Sequence, residues 1–107
     1  MIRTRTWTEY LGDSEAEALY QMDVEKGAVI GAKIIAFFKD DFGDRHEFVR
    51  WDSCHGQFHK HCLYDRKQGR DELSLPAKRA FNEAVADLNA NWGRYKSAYV
   101  RNHIKRG

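Results

Sequence analysis

Ser74-Leu75-Pro76-Ala77-Lys78-Arg79-Ala80-Phe81-Asn82-Glu83-Ala84-Val85-Ala86-Asp87-Leu88 is the stretch that decides the architecture. A serine followed closely by proline reads as a helix start: the hydroxyl can cap a free backbone N–H, and proline's missing N–H costs nothing in the first turn. Beyond it Ala77, Phe81, Ala84, Val85, Leu88, Trp92, Tyr95 and Tyr99 recur at spacings of three and four. That spacing lays one apolar stripe along a helix, expected over about residues 75–102. Gly93 is the point where it would bend. A single stripe needs an apolar surface to cover, and the chain upstream reads as sheet.

Ala18, Tyr20, Met22 and Val24 alternate with Leu19, Gln21, Asp23 and Glu25, the pattern of a half-buried strand. Ser14 followed by Glu17 offers a competing reading, a capped short helix through Met22. Glu25-Lys26-Gly27 reads as a turn, and Val29 to Lys39, rich in Ile and Phe, as a central strand. Asp40-Asp41-Phe42-Gly43-Asp44 is turn chemistry. Arg45 to Asp52 and Phe58 to Tyr64 follow as two strands joined by Ser53-Cys54-His55-Gly56-Gln57, and Asp65 to Glu72 is a charged connection. The expectation is an α+β domain. It has an antiparallel meander of about four strands over about residues 17–64, one long C-terminal helix packed on a face, and a basic C-terminal tail.

The totals set bounds. A chain of 107 residues suits one core, and 42% hydrophobic with 32% charged residues is the balance of a folded protein. Net charge is only +2, but its distribution is uneven: from Asp13 to Glu47 acids outnumber bases, and no acid follows Asp87. The basic end holds Arg94, Lys96, Arg101, Lys105 and Arg106, a footprint that suits an anionic polymer or simply a solvated helix face. Met1 to Trp7 carries no apolar leader segment, and the longest apolar run, Ala28 to Phe38, is too short to span a bilayer. A cytoplasmic protein with no membrane contact is expected. Cys54 and Cys62 would be reduced there, which leaves metal binding or plain burial for them.

The densest chemistry lies in Arg50-Trp51-Asp52-Ser53-Cys54-His55-Gly56-Gln57-Phe58-His59-Lys60-His61-Cys62. On the last strand His59 and His61 share a face opposite Phe58, Lys60, Cys62 and Tyr64; on the strand before, His46, Phe48, Arg50 and Asp52 share one opposite Val49 and Trp51. A suitable register sets Arg50 and Asp52 beside His59 and His61, with His55 on the connecting loop. A one-residue slip would separate them. Two histidines near neutral pH can act as base and acid on a phosphodiester, Asp52 can orient one of them, and Arg50 and Lys60 are candidates to offset transition-state charge. RNA is then the natural substrate, since its 2′-hydroxyl supplies a nucleophile without a metal; Arg94 and Arg101 join Lys60 as candidate substrate contacts. The alternative is a zinc or other divalent transition-metal site at His55, His59 and His61, completed by Asp52, Cys54 or Cys62, although the spacing matches no standard finger. Catalysis by Cys54 beside His55 is the least favoured, because adjacent side chains seldom point together. The plain reading is a solvated sheet face with an Arg50–Asp52 ion pair, and Trp51 and Cys62 in the core.

Arg50-Trp51-Asp52-x-x-His55-Gly56-x-x-His59-x-His61 resembles the Arg-aromatic-Asp-x-x-His-Gly-x-x-His signature of small prokaryotic proteins of unknown function. More distantly it is similar to the TumE family of toxin components in toxin–antitoxin pairs, which carry an Arg-Trp-Asp segment and a histidine-rich stretch ending in His-x-His. That family has a longer, proline-containing insert where this chain has a short connection with Gly56. The resemblance implies a protein that acts on RNA, with an antitoxin-like protein partner and Arg50, Asp52, His55, His59 and His61 as the functional residues; joined to the acid–base reading it gives a metal-independent ribonuclease. The competing expectation is a non-catalytic domain that binds a metal or another protein. An exposed edge strand and the basic helix end leave a homodimer open.

Overall fold

A computed structural model describes residues 1–54 and 57–104, of Cys54 the backbone alone. Six strands, β1 (Ile2–Leu11), β2 (Ala16–Glu25), β3 (Ala28–Lys39), β4 (Arg45–Cys54), β5 (Gln57–His61) and β6 (Arg70–Leu73), are followed by one helix, α1 (Ala77–His103). Each strand pairs antiparallel with its sequence neighbour, giving the order β1-β2-β3-β4-β5-β6 in a single sheet. The helix lies across one face, against β3, β4 and β5. The class is therefore α+β, with six strands where about four were expected. The additions are β1, whose threonines favour a strand although its pattern shows no apolar alternation, and β6, which emerges from the charged connection.

Between sheet and helix lies one core. Tyr20, Ile34, Phe48, Val49, Trp51 and Phe58 from the strands meet Phe81 and Leu88 of α1. Phe81 meets Tyr20 edge-on, and Tyr99 meets Phe38 the same way. Each such side chain contributes roughly 1.5–3 kcal/mol when fully buried, which is what holds the helix on the sheet.

Local chemistry sets the connections. Lys26 (φ 51°) and Gly27 (φ 78°) form a two-residue turn between the paired Glu25 and Ala28, a type I′ arrangement whose twist matches the strands it joins. Asp40 organises the β3–β4 turn by accepting hydrogen bonds at Oδ1 from Phe42 N and Asp44 N, both at 2.9 Å. Ser14 sits in the β1–β2 turn at φ 66° and caps no helix, so the strand reading of β2 stands and the helical one falls. The C-terminal helix begins two residues later than expected. Pro76 occupies its cap position and Ala80 N donates to Pro76 O at 2.9 Å, so Ser74 lies too far out to cap and no side chain does. β5 stops at His61, short of Tyr64, because Asp65 N bonds to Cys62 O and turns the chain.

One irregularity matters for the site. Ala36 pairs with Val49 but Phe37 pairs with Glu47, so Phe48 is an extra residue, a β-bulge in β4. Parity changes across it. His46 therefore falls on the helix side, stacked on Phe38 at 5.1 Å, and does not share a face with Arg50 and Asp52 as strict alternation required. Its Nε2 lies 2.8 Å from Asp40 Oδ2 and its Nδ1 3.5 Å from the Tyr99 hydroxyl.

Two of the turn glycines make unequal demands. Gly12 has φ 61°, and a Cβ there would lie 2.8 Å from the Trp92 ring, whereas a Cβ at Gly27 would meet nothing within 4 Å. Gly12→Ala is expected to lower the unfolding free energy by about 1–3 kcal/mol, and Gly27→Asn by roughly 0.5 kcal/mol or less, since asparagine tolerates positive φ. Urea denaturation of the two variants checks this; equal losses would contradict it.

Candidate functional site

Alternation places the side chains. Trp51 and Phe58 are buried on the helix side, so their sequence neighbours turn toward the face that α1 leaves uncovered. The register sets Arg50 opposite His61 and Asp52 opposite His59. Asp52 is the hub: Oδ1 lies 3.2 Å from His61 Nε2, and Oδ2 lies 3.3 Å from Arg50 Nε. The Arg50 contact is close enough for ion pairing but poorly angled, since Arg50 Nε makes no hydrogen bond among the described residues. The rings of His59 and His61 stand 6.4 Å apart, and the buried Nδ1 of His59 has no hydrogen-bond partner among the described residues.

These four groups line a cleft of about 460 Å³. Lys33 of β3 and Arg70 of β6 flank it, and Gln21 and Asp23 close the β2 side. Lys33 pairs directly with Asp52, and Arg70 with His61, so the sheet itself delivers both cations. Three permanent cations and two carboxylates line the cleft, and Glu47, 4.0 Å from Arg50, and Glu72, opposite His59, add negative charge at its margin. The chemistry on offer is a pair of imidazoles for proton transfer, a carboxylate that orients one of them, and guanidinium or ammonium donors for developing negative charge. Lys33, Arg70 and Asp23 were not among the sequence candidates. The available signal was Lys33 interrupting the apolar run of β3; nothing local marked Arg70.

Lys60 lies elsewhere. It points to the helix side, with Nζ 3.0 Å from Asp87 Oδ2, 2.7 Å from the Tyr95 hydroxyl, and 4.4 Å above the Tyr95 ring. Burial alone would push its pKa down, but hydrogen bonds with Tyr95, Asp87 and Tyr64 outweigh this and raise it. Asp87 is held below the usual carboxylate range: burial pushes it up, and the Tyr95, Lys60 and Asn91 hydrogen bonds more than reverse that. Lys60 is thus a cation committed to a half-buried ion pair, separated by the sheet from the two histidines. Arg94 and Arg101 line a second cleft of about 450 Å³ beside it, with Tyr64 stacked on Tyr95 at 4.2 Å. None of the three reaches the histidine cleft.

Of the remaining candidates, His55 lies outside the described residues, as does the side chain of Cys54. Cys62 is 5% exposed, and burial pushes its thiol up, away from a reactive thiolate. Among the described residues no group of three His, Cys, Asp or Glu side chains is arranged to hold a metal ion. Among them, too, no helix is long and apolar enough to cross a membrane.

The fold and cleft define a class: a one-sided antiparallel α+β protein with a histidine-lined cleft on its open sheet face. The chain belongs to the family described as domain of unknown function DUF7718, whose model matches residues 2–105. No curated protein and no solved structure matches it.

Removing the Asp87 carboxylate strands the Lys60 ammonium, which is 12% exposed. Asp87→Asn is expected to cost about 1–3 kcal/mol at pH 7, somewhat under the usual toll of breaking a fully buried pair. Because the folded-state pKa of Asp87 is depressed, its contribution is complete above the unfolded value near 3.9 and disappears as pH falls through the folded one. Stabilities of wild type and variant should therefore converge as pH falls below the unfolded value and through the depressed folded one; a gap that does not narrow on acidification would contradict the ion-pair account.

Proposed function

We propose that this chain is a small RNA-acting protein of the toxin type, cleaving a phosphodiester at the open-face cleft by metal-independent acid–base chemistry. The observation that carries the reading is the convergence of His59, His61, Asp52 and Arg50 with Lys33 and Arg70 in one cleft. The ring separation of 6.4 Å lets a single phosphate meet both imidazoles. In the reaction one imidazole takes the proton of the ribose 2′-hydroxyl, whose oxygen attacks phosphorus. The bond to the 5′-oxygen breaks as the other imidazole protonates it, leaving a 2′,3′-cyclic phosphate and a free 5′-hydroxyl. Asp52 engages one nitrogen of His61, fixing that ring and leaving the other nitrogen for substrate. Arg50, Lys33 and Arg70 offset the charge that builds on the phosphoryl oxygens.

The likeness of the Arg50–His61 stretch to the TumE toxins points the same way and brings with it an antitoxin-like protein partner. Lys60, Arg94 and Arg101 are left out of substrate contact, since they lie across the sheet from the histidines.

Incubation of the purified protein with single-stranded RNA in EDTA tests the chemistry. Cleavage with 2′,3′-cyclic phosphate ends is expected, slowed about 100-fold or more by His59→Ala or His61→Ala. RNA left intact, or cut equally well by both variants, would sink the proposal. The toxin part is read in cells: induced wild type should arrest growth and His59→Ala should not, and harmless wild-type expression would refute it.

A further inference from the structure

The sheet has one long open edge. β1 pairs with β2 without a break from Ile2 opposite Glu25 to Leu11 opposite Ala16, and its other side pairs with nothing among the described residues. Edges of this length usually carry a proline, a bulge or an inward charge that blocks further pairing. β1 has no proline and no bulge; it does place Arg3, Arg5 and Glu9 on the helix side, and its ends expose Ile2 (54%) and Tyr10 (68%). What it does carry is an arrangement of charges that complements itself.

Geometry limits how two copies of such a strand can meet. Backbone groups that point away from β2 occur at alternate residues, and side chains alternate faces with the same period. Two antiparallel copies must therefore oppose residues of equal parity, which puts a two-fold axis at a single residue facing itself. Centred on Arg5, the pairing sets two guanidinium groups against each other, which is unfavourable. Centred on Trp7, it sets Arg5 against Glu9 and the two Trp7 rings against each other, but it leaves Ile2 outside the paired stretch and Arg3 against Leu11. Centred on Thr6, every opposition is favourable. Arg3 faces the second copy's Glu9, Arg5 faces the second copy's Trp7 for a cation–π contact, Thr4 faces Thr8, and Ile2 covers Tyr10. Glu9 also sits diagonal to Arg5 in this register, so one carboxylate serves both arginines.

We propose that two copies of the chain associate antiparallel through β1, with the axis at Thr6, joining their sheets into one. The arginines and Glu9 then lie on the helix side with Trp7, which stacks on Tyr20 at 5.4 Å, and the threonines lie on the open side. The cleft is untouched, because its lining comes from β2 to β6, so the association stands apart from the proposed cleavage chemistry. One strand pair is a small interface, so dissociation in the micromolar range is expected.

Sedimentation velocity from about 1 to 200 µM tests this. Wild type should pass from 12.5 kDa to twice that mass across the range. Glu9→Arg, with near-UV circular dichroism showing an unchanged fold, should weaken association at least about tenfold, by opposing like charges. The triple variant Arg3→Glu, Arg5→Glu, Glu9→Arg should associate more tightly than Glu9→Arg alone, since its ion pairs are reversed although the Arg5–Trp7 contact is lost. Register is read by Thr6→Cys, which should give an oxidised dimer, with Thr4→Cys cross-linking far more slowly. A wild type that stays monomeric throughout, a dimer indifferent to Glu9→Arg, or a preference for the Thr4→Cys cross-link would overturn the proposal.

Discussion

Burial of Trp51 and Phe58 beneath α1 is the constraint on which the rest of the molecule turns. Both are essentially inaccessible, and both lie on strands whose alternate residues must point the opposite way. The apolar packing that holds the helix down therefore also determines where Arg50, Asp52, His59 and His61 go. One helix covers one face of the sheet, and the polar residues collect on the other. Core and candidate site are two readings of the same alternation, so neither strand can be shifted by one residue without exchanging them.

The bulge at Phe48 lets β4 serve two environments. Before it, His46 faces the helix, bound to Asp40 and packed on Phe38; after it, Trp51 faces the helix and Arg50 the cleft. Without the extra residue the strand would keep one parity throughout. Then either His46 would leave Tyr99 and the β3–β4 turn, or Trp51 would leave the core. The polar groups on the helix side are accordingly structural. Lys60, Asp87 and Tyr95 satisfy one another, and His46 ties the Asp40 turn to α1.

Much of this was legible in the residues. Apolar spacing in Ala77 to Tyr99 located the helix, and alternation grouped Arg50 with Asp52 and His59 with His61 before any coordinates. The same alternation placed Lys60 away from the histidines, and its expected role in charge stabilisation ran against that placement. What was hidden had physical causes. β1 is an edge strand with polar residues on both sides, so it shows no period-two hydrophobic signal. A bulge adds one residue and leaves no compositional trace, which is why His46 was set on the wrong face. Lys33 and Arg70 reach the cleft through pairing with neighbouring strands, a fact that lives in register and not in local sequence.

A meander in which every strand pairs with the one before it has a further consequence, for the route by which the chain reaches this state. Each hairpin closes a short loop, a microsecond event with little entropy to overcome. The helix is different, since its partners β3 and β4 lie several dozen residues back along the chain. Docking of α1 therefore carries most of the loop-closure cost. Until it happens the sheet exposes an uncovered apolar face, Tyr20, Ile34 and Trp51 among it. Because the helix follows every strand of the sheet in the sequence, that face is complete before its cover leaves the ribosome, and for that interval the molecule's vulnerability to aggregation lies on the side opposite its candidate site.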